Sequence, residues 1–76
     1  MRLSDLQNKD VVNIKNGKKI GNIIDVSINN EGITTGLIVE KYKFFVSMFT
    51  TNGEVEIKWN QIEKIGEDVI LVNIVY

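Results

Sequence analysis

Turn signals recur at short intervals along this chain, which suggests a small β-sandwich or barrel. Asn16–Gly17 and Asn52–Gly53 favour tight hairpins, because both residue types tolerate the positive φ angles of a type I′ turn. Asn30-Glu31-Gly32 is a third turn signal. The apolar residues between the turns are mostly Ile and Val, and proline is absent. Since β-branched side chains pack well on a pleated surface, the pattern predicts an all-β fold.

A long strand is expected between the first two turns, over Lys18–Asn29. Apolar and polar residues alternate from Ile24 onward, whereas Ile23 is out of phase with that alternation. One extra residue bends a strand, so the sequence predicts a β-bulge near Ile23–Asp25. The Asp25 carboxylate is expected to accept backbone N–H groups there and to hold the bend.

Other strands follow the same reasoning. Ile33–Glu40 places Ile33, Leu37 and Val39 on one face. Val69–Val72 is a continuous apolar run, typical of a strand that is covered on both faces. A further short strand is expected over Val11–Ile14.

Two single helical turns are also expected. Ser4-Asp5-Leu6-Gln7 matches the capping-box pattern, in which the first and last side chains satisfy backbone N–H groups, and Asn60-Gln61-Ile62-Glu63 is similar. Closing a small sheet on itself removes exposed edges. The predicted architecture is therefore a small six-stranded, mainly antiparallel β-barrel with one or two single-turn helices.

The segment Glu54–Trp59 alternates strictly between charged and apolar residues, which predicts Val55, Ile57 and Trp59 on the core face. A two-residue turn at Asn52–Gly53 would fix the register of the preceding segment. The pairs expected from that register are Thr50 with Val55, Met48 with Ile57, and Val46 with Trp59.

The same register turns Phe45 and Phe49 away from the core. A helical turn over residues 44–49 would also bring these two rings together, at positions i and i+4. Both rings either cover the mouth of the barrel, or form an exposed patch for self-association, another protein or a membrane surface. The residues predicted for a protein interface are Tyr42, Lys43, Phe45 and Phe49.

Composition limits the chemistry that the chain can perform. Its 76 residues include no Cys and no His, so it lacks the usual zinc ligands, the commonest general base and the strongest nucleophile. Glu54 and Glu56 share a strand face, but acid/base work needs a cleft that separates two pKa values. No catalytic residue, metal or cofactor is assigned. An enzyme that uses only carboxylates and hydroxyls stays as an alternative.

Charge and length point to a protein partner. The net charge of −1 argues against a dedicated nucleic-acid or anionic-membrane protein. Lys41, Tyr42 and Lys43 interleave basic and aromatic side chains, which keeps a nucleic-acid-binding barrel as an alternative. No apolar run approaches the ~20 residues that span a bilayer, and no signal peptide is visible, so a cytoplasmic location is expected. Oligomerisation is a common way to stabilise so small a chain, so a homodimer is expected.

Gly21 and Gly36 lie within predicted strands, where glycine marks a bend or a close backbone approach. We expect structural roles for both, as for Asp25 and Trp59.

The run KKIGNIIDV over Lys18–Val26 resembles the signature of PRC-barrel domains, in which a Gly, an apolar residue and an Asp follow at two-residue intervals. The segments Arg2–Leu6, Trp59–Ile62 and Lys64–Val72 are similar to the YlmC/YmxH branch of that family. The resemblance covers about residues 2–72 of a single domain over 1–76, with 73–76 as a tail or an extension of the last strand.

The resemblance implies a six-stranded barrel and an association with sporulating Gram-positive bacteria. Related barrels occur in the H subunit of the photosynthetic reaction centre and in the ribosome-maturation factor RimM, where the barrel contributes to binding a ribosomal protein. The family theme is protein–protein contact, and this branch has no settled biochemical activity. The chain is therefore predicted to be a non-catalytic protein-interaction module.

Overall fold

Two long strands form the centre of the sheet, and shorter elements surround them. The computed structural model describes residues 1–41 and 54–74. In chain order the elements are α1 (Leu3–Gln7), β1 (Asp10–Asn13), β2 (Lys19–Ile28), β3 (Thr34–Lys41), β4 (Glu54–Lys58), a 3₁₀ turn (Trp59–Gln61), β5 (Ile62–Ile65) and β6 (Val69–Val72).

The six strands form one sheet in the order β4-β3-β2-β1-β6-β5. Neighbouring strands are antiparallel except β1 and β6, which are parallel. The predicted all-β, mainly antiparallel fold with six strands is confirmed, together with one short helix and one 3₁₀ turn. The sheet is mixed, and among the residues that the structure describes no ladder joins β4 to β5.

The predicted bulge in β2 is confirmed. The register passes from Ile23 opposite Val39 to Asp25 opposite Ile38, so Ile24 is the extra residue. Asp25 Oδ1 accepts the N–H of Val26 at 2.8 Å, directly after the bulge. Bulges raise the local twist and bend a strand, and this one curves β2 around the core.

The turn between β1 and β2 differs from the predicted type I′ hairpin. No described residue other than glycine has a positive φ, so Asn16 does not adopt the backbone that such a turn requires. Residues 14–17 form a longer link instead. The Gly17 N–H donates to the carbonyl of Asn13 at 2.7 Å, and the Asn13 N–H donates to the carbonyl of Lys18 at 3.0 Å. Gly17, at φ +71°, supplies the left-handed residue.

Both predicted caps are wrong in their residues. In α1 the Asp5 carboxylate accepts the N–H of Arg2 at 2.9 Å, whereas Ser4 and Gln7 were expected to cap the helix. In the 3₁₀ turn Gln61 Oε1 accepts the N–H of Lys58 at 2.9 Å. Each helical turn therefore begins earlier than expected, with its N-cap at Arg2 instead of Ser4 and at Lys58 instead of Asn60.

The core is aliphatic and draws on five strands and α1. Its buried members are Leu6, Val11, Ile20, Ile23, Leu37, Val39, Ile57, Ile70, Val72 and Ile74. Cross-strand pairs such as Leu37 with Ile57 place these side chains on one face of the sheet. Burial of such side chains contributes roughly 1.5–3 kcal/mol each, before conformational entropy is subtracted.

Two residues expected on the core face are exposed. The side chain of Trp59 is 48% exposed, because β4 ends at Lys58 and the 3₁₀ turn breaks the two-residue alternation. Ile33 is 58% exposed, because it lies in the turn before β3 begins. Val46, Met48 and Thr50, the expected partners of this segment, lie outside the described residues. In the described ladder Val55 lies opposite Val39, and Ile57 lies opposite Leu37.

Candidate interaction surface

The predicted interface residues Tyr42, Lys43, Phe45 and Phe49 lie outside the described residues. A second surface with the same apolar character lies within them. It surrounds Trp59, at the end of β4 opposite to the one that joins this undescribed segment.

A groove of about 260 Å³ lies between α1, the strands β2 and β3, and the 3₁₀ turn. Its lining residues are Met1, Arg2, Leu3, Leu6, Val26, Thr34, Leu37 and Trp59. Leu6 and Leu37 belong to the buried core, whereas Trp59 and Met1 are exposed, Met1 by 84%. The groove therefore opens the apolar core toward solvent.

The register of the sheet explains why this apolar region is open. Val26 lies opposite Leu37, and Ile28 lies opposite Thr34, so all four share the face that carries the core. The five residues of α1 cover only part of that face. Ile28 is 61% exposed as a result. We call Met1, Val26, Ile28 and Trp59 the Trp59 surface.

The Trp59 surface carries little charge. Arg2 is the one ionisable side chain among the residues that line the groove. A half-exposed indole beside exposed aliphatic side chains is characteristic of contact surfaces, in which Trp is strongly enriched at hot spots. At about 260 Å³ the groove lies below the roughly 300–1,000 Å³ of most small-molecule sites.

The outward face of β3 and β4 is acidic. Glu40 and Glu54 lie directly opposite each other, and Glu56 lies two residues further along β4. The Lys58 ammonium is 3.3 Å from Glu56 Oε1. A phosphate backbone meeting this face would encounter more carboxylates than ammonium groups.

The environment of Glu56 favours its ionised form. A hydrogen bond from the Ser27 side chain, followed by one from Lys58, lowers the pKa of the Glu56 carboxyl. A general acid at neutral pH needs the opposite, a raised pKa. Glu56 thus has the properties of a carboxylate on a solvated strand face.

Lys41, which the sequence grouped with Tyr42 and Lys43 as a nucleic-acid contact, is buried with 7% of its surface exposed. It lies opposite Gly21, on the core face of β3. A lysine in this position does not present its ammonium group to a phosphate backbone.

Gly21 and Gly36 both lie against neighbouring backbone. A Cβ on Gly21 would overlap the carbonyl oxygen of Glu40 and lie 2.8 Å from the Cα of Lys41. A Cβ on Gly36 would lie 2.6 Å from the carbonyl oxygen of Ile57. Both contacts are of the close-approach kind that glycine within a strand permits.

Sequence reasoning missed Asn13, the most deeply buried polar side chain described. Asn13 is 1% exposed. Its Nδ2 donates to the carbonyl of Ile74 at 3.1 Å, and its Oδ1 accepts the N–H of Lys15 at 3.2 Å. Its two-residue spacing from Val11 is the only sequence signal that pointed inward, and an Asn next to a turn is ordinarily solvated.

The described ranges, 1–41 and 54–74, contain no group of three or more Asp and Glu side chains placed to hold a metal ion. They also contain no helix with the length and apolar character needed to cross a bilayer.

Comparison with known proteins places this architecture. A family model for the PRC-barrel domain matches residues 1–76. The chain is 45% identical over 76 residues to the probable sporulation protein YlmC of Bacillus subtilis, covering 95% of this chain and 90% of that protein. It is 32% identical to the uncharacterized protein YmxH of the same organism, over 97% of this chain and 89% of the relative.

A third relative, an uncharacterized protein of Clostridium acetobutylicum, is 34% identical over 93% of this chain and 82% of its own length. The family match extends from the first strand to the last, and the bulge at Ile23–Asp25 lies inside the segment that carried the resemblance. By sequence and by fold, this chain belongs to the PRC-barrel domain family.

Proposed function

We propose that this chain is a non-catalytic protein-interaction module that forms a homodimer through the Trp59 surface. The observation that carries the proposal is the indole of Trp59, half exposed above a groove that opens into the core. Burying exposed apolar area contributes about 25 cal/mol per Å², so covering this surface favours association.

A second copy of the chain suits this surface better than a charged partner does. In a two-fold dimer the same patch meets itself, and an apolar patch does so without placing like charges opposite each other. The net charge of −1 gives little repulsion between copies. A 76-residue chain without disulfides also gains from the added burial.

The cellular role that we propose is related to sporulation and located in the cytoplasm. The support for the sporulation role is the relative named as a probable sporulation protein, which is 45% identical to this chain. The predicted surface of Tyr42, Lys43, Phe45 and Phe49 would provide a second contact, to another protein that is not yet identified.

The two alternative functions have less support. The acidic face of β3 and β4 and the burial of Lys41 oppose nucleic-acid binding. The lowered pKa of Glu56 and the solvated strand face on which it lies oppose a role for this carboxyl as a general acid.

The test for the dimer is the molar mass in solution, measured by sedimentation equilibrium. The native chain is expected to be a dimer, and Trp59→Ser is expected to weaken the dimer at least tenfold, since hot-spot side chains contribute about 2 kcal/mol or more. Ile14→Ser is the matched control, because Ile14 is 44% exposed and does not line the groove. A native chain that stays monomeric, or a Trp59→Ser variant that dimerises as tightly, would contradict the proposal.

The second contact has its own test. Phe45→Ser combined with Phe49→Ser is expected to leave the circular dichroism spectrum unchanged and to abolish capture of a partner from sporulating cells. Unfolding of that double variant would show that both rings belong to the core, and the second contact would then be wrong.

A further inference from the structure

The turn between β1 and β2 carries the only Asn-Gly pair among the described residues, and it is exposed to solvent. We propose that Asn16 is a site of spontaneous deamidation and that opening of this turn sets its rate. The proposal is independent of the interaction described above.

The chemistry needs no enzyme. The backbone nitrogen of Gly17 attacks Cγ of Asn16, forming a C–N bond while the Cγ–Nδ2 bond breaks. Ammonia leaves with the proton from Gly17, and a five-membered succinimide remains. Water then opens the ring at either carbonyl and gives aspartate or isoaspartate. Glycine favours the attack, because it has no side chain to hinder the approach of its nitrogen to the neighbouring side chain.

Two hydrogen bonds in the folded turn hold the reacting groups in place. The N–H of Gly17 donates to the carbonyl of Asn13 at 2.7 Å, which holds the attacking nitrogen. The side-chain oxygen of Asn16 accepts the N–H of Lys18 at 3.0 Å, which holds the electrophilic amide. The bond from the Gly17 N–H must break before its nitrogen can attack, so the reaction proceeds from a locally opened state of the turn.

Formation of isoaspartate at Asn16 changes the length of the turn that joins β1 to β2. Isoaspartate adds one carbon atom to the main chain between Asn13 and Lys18, whose N–H and carbonyl groups are bonded at 3.0 Å. Asn13 also holds the carbonyl of Ile74. Conversion of Asn16 is therefore expected to loosen the turn and, through Asn13, the end of the described chain.

The test is site-resolved mass spectrometry of the full chain during incubation at mildly alkaline pH. Asn52→Gln is introduced so that one Asn-Gly pair remains. We expect conversion of Asn16 in urea and conversion at least tenfold slower in the folded chain. Asn30, which precedes Glu31 in another exposed turn, is the internal control and is expected to stay unconverted over the same period.

Asn13→Ala is expected to accelerate the reaction at Asn16 in the folded chain, and circular dichroism verifies folding. The comparison between folded and urea-unfolded chain does not depend on that variant. Equal rates in the two states, or no conversion of Asn16 in urea, would overturn the proposal.

Discussion

Asn13 and Trp59 reverse the usual distribution of polar and apolar residues, and they do so in opposite ways. Asn13 is a polar side chain inside the protein, and its amide donates to one backbone group and accepts from another. Trp59 is a large apolar side chain at the surface, with about half of its area in contact with solvent.

The difference separates a completed interaction from an incomplete one. No buried side-chain N or O atom among the described residues lacks a hydrogen-bond partner, so the polar interior is satisfied within one chain. The apolar region around Trp59 is not covered by the described part of the chain. A satisfied polar residue is what a structural role requires, and an uncovered apolar one is what an interface requires.

Ile57 and Trp59 lie two positions apart, and substituting each of them is expected to give the largest difference in stability. Ile57 is buried at 1% exposure, two positions before Trp59. Ile57→Ala should lower the free energy of unfolding by about 2–5 kcal/mol, and Trp59→Ala by about 1 kcal/mol or less when the chain is monomeric. Urea denaturation at low protein concentration measures both. Equal losses would show that Trp59 belongs to the core and would remove the contrast.

The glycines test whether the backbone is equally tight in both regions. Gly21 lies beside β1, which carries Asn13, and Gly36 lies beside Lys58, next to Trp59. Gly21→Ala and Gly36→Ala should each cost about 2–3 kcal/mol, because the added Cβ meets backbone atoms that must move. Gly66→Ala is the control, since its Cβ would be 3.3 Å from the nearest atom. A Gly36→Ala variant as stable as this control would show that the strands near Trp59 are loosely packed.

Asn13→Ala sharpens the polar side of the comparison. It leaves the buried carbonyl of Ile74 without its donor, which should cost about 1–3 kcal/mol, measured by thermal or urea unfolding. Asn22→Ala is the matched control, because Asn22 is only partly buried and the two hydrogen bonds that its side-chain amide donates are each 3.4 Å long. If the two substitutions cost the same, Asn13 has no special part in holding the end of the described chain.

The sequence predicted the strands better than it predicted the two unusual residues. The bulge at Ile23–Asp25 was predictable, because a phase change in a two-residue alternation has one simple structural cause. Trp59 was placed on the core face because alternation carries no information about where β4 ends. The 3₁₀ turn begins at Trp59, and Gln61 caps it. This local preference for a turn ends β4 before Trp59, so the side chain does not continue the strand alternation.

The parallel pairing of β1 with β6 was also beyond the sequence. The apolar run Val69–Val72 indicated a strand covered on both faces, but its partner lies almost 60 residues earlier in the chain. The position of Asn13 next to Val72 follows from that long-range pairing, so its buried role could not be read from the neighbouring residues.

The smallest expected effect concerns Glu56, on the outward face of β4 directly before the buried Ile57. Hydrogen bonds from Ser27 and Lys58 lower its pKa below the usual value of 4.5. A carboxyl with a lowered pKa in the folded state stabilises the protein above its unfolded pKa, and the contribution is lost as the pH falls through the folded pKa. The contribution should be small, because the site is solvated.

Ser27→Ala should raise the pKa of Glu56 toward 4.5, since Ser27 is the leading cause of the shift, and Lys58→Ala should raise it less. Titration of the Glu56 carboxyl carbon by NMR measures both changes. Ser4→Ala, in α1, is the control and should leave the titration unchanged. A pKa that falls or stays constant in Ser27→Ala would mean that this face is organised by Lys58 alone.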